Sequence, residues 1–185
     1  MKSTENFKRL AASIGDSNSA AFREFYSLFV NTVFRFSGYY VKLAENKQEI
    51  VSNVFCSVWS NRKSLWQVEN IEAYLFTLTK NHSLNFLKKQ SREPEYRREL
   101  PLTLSSEGES PEDIFITAEF NNFLQQQIAQ LPEKCRMVFL LSREEGLKYK
   151  DIAKILDISE KTVNAHMVSA LKKIHESVCS YLNKK

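Results

Sequence analysis

Glycine and proline are scarce in this 185-residue chain, four of each, so most of it must run in regular structure with few tight turns. Cysteine is scarcer still. Cys56, Cys135 and Cys179 are odd in number and widely spaced, with no C-x-x-C pair, which excludes a disulfide framework and offers no thiolate zinc site. All three are expected to be buried as small hydrophobes. No apolar run reaches the roughly 18 residues of a membrane span, and the opening Met1-Lys2-Ser3-Thr4-Glu5-Asn6 has no signal-peptide hydrophobic stretch. The expectation is a cytoplasmic protein without direct membrane insertion. A Gly-rich phosphate loop, an H-E-x-x-H and a nucleophile elbow are also missing. His166 and His175 stand nine residues apart, near opposite faces of a helix, too divergent to share a metal. The pattern implies no catalytic centre, metal, cofactor or small-molecule substrate, and an enzyme is the remotest reading.

What is present is a soluble globular composition, 43% hydrophobic and 26% charged, with 26 Lys+Arg against 22 Asp+Glu. Three of the four prolines, Pro94, Pro101 and Pro111, fall close together around a stretch of Ser, Gly and acid without helical or alternating period. A structureless segment of that length is uncommon inside one compact domain. It reads as a linker over 91–111 between two domains, 10–90 and 112–183.

Both halves carry helical spacing, and no comparable run alternates with period two, so the fold class is all-α. Ala21, Phe22, Phe25, Phe29 and Val33 mark one helix after a cap at Asp16 or Ser17. Ile50, Val51, Val54, Phe55, Val58 and Trp59 gather into the apolar stripe of another, leaving Gln48, Glu49, Ser52, Asn53 and Ser57 on other faces. A third spans Ile71 to about Gln90, with Ile71, Tyr74, Leu75 and Leu78 inward. In the second half, Pro132 suits the first position of a helix and Gly146 its left-handed stop. A short helix over Tyr149–Leu156 turns Ile152, Ala153 and Leu156 inward. Asp157-Ile158-Ser159 then makes a three-residue turn, with Ser159 as N-cap of the last helix.

On that last helix Val163, Met167, Ala170, Leu171, Ile174 and Val178 share one side and are expected to pack inward. The opposite side carries Lys161, Thr162, Ala165, Ser169 and Lys172, with Asn164 and His166 on its flanks. Such a face also occurs on ordinary solvated helices. Its combination with a short turn and small residues at the first outer turns fits a DNA-binding helix-turn-helix, and five lysines against two glutamates over 159–185 add a modest phosphate attraction.

The stretch LPEKCRMVFLLSREEGLKYKDIAKILDISEKTVNAHMVSALKKI resembles the region of bacterial RNA polymerase sigma factors that reads the −35 promoter element. AAFREFYSLF, KQEIVSNVFCSVWSNRKSL and NIEAYLFTLTKNHSLNFLKK are similar, in that order, to the region that binds the polymerase and melts the −10 element. The pair resembles a minimal sigma factor of the extracytoplasmic-function (ECF) type, in the form common in Bacteroidetes. The resemblance implies promoter DNA and core RNA polymerase as partners, and an anti-sigma factor that holds the protein inactive.

It also implies roles. Ser159, Lys161, Thr162, Asn164, Ala165, His166, Ser169 and Lys172 would face the −35 groove, while Lys148 stands where the family often has a capping Ser or Thr. Gln48, Glu49, Ser52 and Asn53 would meet the polymerase, with less negative charge than the family usually shows there. Lys80, Asn81, Asn85, Lys88 and Lys89 would track the −10 strands, and no acid occurs between Lys80 and Arg92. Arg62, Lys63 and Trp66 belong to the loop that captures an unstacked base; Trp66 would stack on it, unless it covers a helix junction. His82 reads as a packing residue. A dimeric helix-turn-helix regulator acting without polymerase, with 10–90 as its sensing or dimerisation module, is the alternative. A protein-binding helical adaptor is the third reading.

Overall fold

A computed structural model of the chain describes residues 2–91 and 113–182, with side chains over 7–91 and 119–182. Among the described residues the regular structure is helix and no strand occurs. The chain divides into two compact units, Met1–Glu99 and Leu100–Lys185. The linker expected over 91–111 lies outside the described residues except for Ser91, as do Arg92, Lys184 and Lys185.

The first unit contains α1 (Lys2–Gly15), α2 (Ser19–Ser37), α3 (Ala44–Ser60), a 3-10 helix (Arg62–Gln67) and α4 (Ile71–Gln90). The boundary expected at residue 10 falls inside α1, whose Phe7, Ala11 and Ile14 are buried with Leu10 partly covered beside them. Those four positions have helical spacing, but no cap or breaker announces the helix from sequence. The cap of α2 is Asn18, not Asp16 or Ser17: its side chain accepts from the amides of Ala20 at 2.9 Å and Ala21 at 3.1 Å. Ser17 is left-handed, φ 65°, and closes the preceding turn instead of adopting the extended geometry a cap requires.

The α3 stripe buries Ile50, Val51, Val54, Phe55 and Val58. Trp59 remains half-buried against Phe22, ring centroids 4.9 Å apart, which ties α3 to α2. Phe36 and Phe76, at 4.4 Å, do the same for α2 and α4. On α4 the centre of the inward side is Leu75, Phe76, Thr79 and Ser83, while Ile71, Tyr74 and Leu78 are half-buried. Thr79 is tolerated there because its hydroxyl donates to the Leu75 carbonyl at 2.7 Å. Each Leu or Phe fully buried in this core contributes about 1.5–3 kcal/mol.

The second unit contains α5 (Asp113–Ala129), α6 (Glu133–Arg143), α7 (Tyr149–Leu156) and α8 (Glu160–Leu182). Pro132 precedes α6 as its N-cap rather than its first residue, with an extended ψ of 139°. Gly146 has φ 64°, where a side chain would be strained, and the Leu147 amide donates to the Leu141 carbonyl across it at 3.0 Å. The core joins Val138, Leu141, Ile152, Ile155, Val163, Met167 and Ala170. Leu156, expected inward, is half-buried and Ile155 takes the buried place. Leu171 does not pack inward; it is 39% exposed, at the edge of the apolar arc of α8. Phe123 of α5 stacks on Tyr181 of α8 at 4.3 Å and joins the outer two helices.

The cysteines correct a further expectation. Only Cys135 is buried; Cys56 and Cys179 are exposed. Cys56 follows Ser52 by four residues and so inherits the outward face of α3, and Cys179 does the same behind His175 on α8.

Candidate nucleic-acid interface

The turn from α7 to α8 is built locally. Asp157 ends α7 in the left-handed conformation, φ 57° and ψ 52°. The Ile158 amide donates to the Ala153 carbonyl at 3.0 Å and its side chain is half-buried in the corner. Ser159 Oγ accepts from the Thr162 amide at 3.0 Å and shares a 2.8 Å hydrogen bond with Thr162 Oγ1. This cap satisfies one of the free amides at the start of α8 and fixes its first turn. The N-terminus of α7 has no such help, since Lys148 occupies its cap position without a side-chain bond.

Beyond that turn, Lys161, Asn164, Ala165 and Lys172 are exposed and Thr162 and Ser169 half-buried along one side of α8. A small, polar, thinly charged ridge of this kind can enter a major groove, with the capped N-terminal turn leading. His166 is set back from it. Its Nδ1 lies 3.5 Å from Cys135 Sγ on α6, so the half-buried ring lies against its own domain. Lys172 Nζ is 3.9 Å from Glu176, an exposed pair that leaves the ammonium available to a phosphate.

In the first unit, Asn81, Asn85, Lys88 and Lys89 are exposed on α4 and Lys80 is half-buried. The segment Arg62–Asn70, expected as a loop, is a 3-10 helix through Gln67 anchored by buried Leu65. Lys63 and Trp66 project from it, Trp66 with 58% of its surface exposed. Trp66 therefore does not seal a helix junction; with Lys8, Ala12, Gln67, Val68 and Glu69 it lines an open cleft of about 580 Å³ beside α1. Arg62 is held differently. Its Nη1 donates to the Trp59 carbonyl at 3.0 Å, its Nε donates to Ser17 Oγ at 3.0 Å, and the guanidinium lies 4.9 Å from the Trp59 ring centre. That is a strut across two turns of the fold, so little of it remains for DNA. On α3, Gln48, Glu49, Ser52 and Asn53 form one exposed stripe, continued by Cys56.

Residues 124–174, which contain α6, α7, the turn and α8 as far as Ile174, match the family model of sigma-70, region 4. The chain is similar to the ECF RNA polymerase sigma factor SigW of Bacillus subtilis, 22% identical over 86% of this chain and 90% of that protein. It is also similar to the ECF RNA polymerase sigma-E factor of Escherichia coli K12, 24% identical over 70% of this chain and 72% of that one. Both of these relatives are ECF sigma factors, and the likeness to them runs over most of the chain. Its fold matches a solved sigma factor, RpoE of Bartonella quintana in complex with the anti-sigma factor NepR, with a TM-score of 0.66 at 17% identity over 85% of this chain and 96% of that one.

The chain carries further surface groups that its sequence motifs do not announce. Lys150 and Lys154 are both exposed, four residues apart on α7, the helix that crosses the backbone in a docked helix-turn-helix. Their i, i+4 spacing was the available signal. Leu84 is 37% exposed, one helical turn from Lys80 on one side and Lys88 on the other. No sequence pattern flags it, because a leucine is assigned to the core by default.

Proposed function

We infer that this protein binds core RNA polymerase and directs promoter-specific transcription initiation. The observation that carries the reading is the Ser159-capped helix-turn-helix inside the region 4 match, in a chain that aligns with a sigma factor over 86% of its length. In this reading the second unit presents Lys161, Thr162, Asn164, Ala165, Ser169 and Lys172 to the −35 groove, with Ser159 and His166 setting the entry and flank. Lys150 and Lys154 track its phosphates. The first unit tracks the −10 strands with Lys80, Asn81, Asn85, Lys88 and Lys89, and takes an unstacked base on Trp66 beside Lys63. Arg62 shapes that corner rather than touching DNA.

The exposed stripe Gln48, Glu49, Ser52 and Asn53 is the polymerase-docking surface. With a single carboxylate, it relies on amide and hydroxyl hydrogen bonds more than on charge, so its affinity for polymerase falls less steeply with salt than that of a more acidic stripe. An anti-sigma factor, as in the Bartonella complex, covers one or more of these surfaces in the resting state. The Bacteroidetes form of the family is supported by the sequence motifs alone. None of the described helices is long and apolar enough to cross a membrane.

In vitro transcription with purified core polymerase and a genomic template library tests the reading. Discrete start sites sharing one promoter motif are expected only when both proteins are present. Lys161→Glu combined with Lys172→Glu should abolish them. Equal binding of the isolated protein to a symmetric site, with no transcription on adding polymerase, would instead support the dimeric regulator.

A further inference from the structure

Val168 of α8 has 58% of its surface exposed and takes no part in the core of its domain. At 100° per residue it lies inside an arc of about 100° bounded by Asn164 and Ala165 and shared by Lys161 and Lys172. It therefore stands in the middle of the ridge assigned to the major groove, one turn beyond Asn164. A single exposed valine is ordinary on a free helix. Here its neighbours make the difference. Ser159 and Thr162 are engaged with each other in the cap, and His166 is turned back towards Cys135. The exposed side chains on the arc between 161 and 172 are Lys161, Asn164, Ala165, Val168 and Lys172. Of these, Val168 is the largest without a polar group.

A ridge seated in the groove brings its central side chain against base edges and strips the water between them. Valine neither donates nor accepts a hydrogen bond. Against the N7 and O6 of guanine, or the amino group of cytosine or adenine, it would desolvate polar atoms and return nothing. Against the C5-methyl of thymine it buries apolar surface on both sides. The contact is also well defined, because a β-branched side chain on a helix keeps essentially one χ1 rotamer and loses little freedom on docking. Lys161 and Asn164 remain for the hydrogen-bonding edges beside it.

We propose that Val168 is a specificity-determining residue, which selects a thymine at one position of the −35 element through its C5-methyl group. The proposal rests on the promoter-reading function above and names the base chemistry that one side chain reads. Holoenzyme is reconstituted from the full chain and core polymerase on a promoter taken from the start-site map. Each thymine of the −35 element, on either strand, is replaced in turn by deoxyuridine, which lacks only the methyl group. One replacement should lower affinity about three- to five-fold, the worth of one buried methyl. Val168→Ala, a change that an exposed helix position accepts readily, should bind the unmodified promoter with a loss of similar size and show no further loss on that replacement. A −35 element without thymine overturns the proposal. So do thymines that all tolerate the replacement, or an undiminished loss in Val168→Ala, while in each case the promoter-reading function stands. Failure of that function itself is distinct, since core polymerase would then give no specific start site with the native chain.

Discussion

His82 Nε2 and Ser57 Oγ are 2.8 Å apart, a hydrogen bond that ties the middle of α4 to the last turn of α3. It links the helix assigned to promoter strands with the helix assigned to polymerase. His82 is thus more than a packing residue, although its half-buried ring does pack.

Burial lowers the His82 pKa below its ordinary value of ~6.5. The unfolded chain therefore binds a proton that the folded one resists, and the neutral imidazole contributes stability that is full above ~6.5 and is lost as pH falls from there through the lower folded pKa. A thermal-melt series from pH 8 to 5 should show the midpoint falling in the acid half. The fall should be shallower in His82→Gln, which cannot titrate. Parallel curves for the two proteins would remove this role.

Ser159→Ala deletes the cap of α8 at an exposed site. The expected cost is about 1 kcal/mol. Promoter affinity at the −35 element should fall as well, since the first turn of α8 frays, while binding to polymerase stays unchanged. Ser159→Asp, also a good cap, should restore the melting temperature in a denaturation assay but not the DNA affinity, because it adds a negative charge beside phosphates.

Arg62→Ala and Lys63→Ala should separate a strut from a DNA contact. Arg62 holds the Trp59 carbonyl, the Trp59 ring and Ser17 together, and its loss should destabilise the protein by about 1–2 kcal/mol. Lys63 is exposed and its removal should leave the melting temperature within experimental error. Transcription from a promoter template should respond to Lys63→Ala even so. A stability loss from Lys63→Ala, or none from Arg62→Ala, reverses the assignment.

Lys150→Ala with Lys154→Ala should reduce the salt dependence of −35 binding by the holoenzyme. Two lost phosphate contacts lower the slope of log K against log salt by about 2. Sequence preference among promoters should remain, because neither side chain is placed to reach a base.

Leu84→Ala tests whether the exposed leucine between Lys80 and Lys88 helps part the strands. Opening of a duplex promoter, read with permanganate, should drop while initiation on a pre-melted bubble template is preserved. Equal opening by both proteins would make Leu84 a bystander.

The helix-turn-helix was legible in the sequence because each of its parts is local. Asp157 takes the left-handed turn, Ser159 caps three residues on, and Val163, Met167 and Ala170 repeat within single helix turns. The stripe of α3 was legible for the same reason. Cys56 was not lost for want of signal: it shares the period of Glu49, Ser52 and Asn53, and a general preference of cysteine for the interior outweighed that period. The same preference concealed Cys179, whose outward spacing from His175 was equally readable.

Periodicity and caps determined the helices, their polar faces and the all-α class, since those signals act over a few residues and survive in any surroundings. Contacts between residues distant in the chain were decided only on folding. α1 is held by an apolar side too slight to mark it as a helix in advance, and Arg62 and His166 were drawn from the surface by Trp59, Ser17 and Cys135. The energy of such contacts depends on which side chains the packed helices bring within a few ångströms, and that neighbourhood is a property of the assembled fold rather than of any segment.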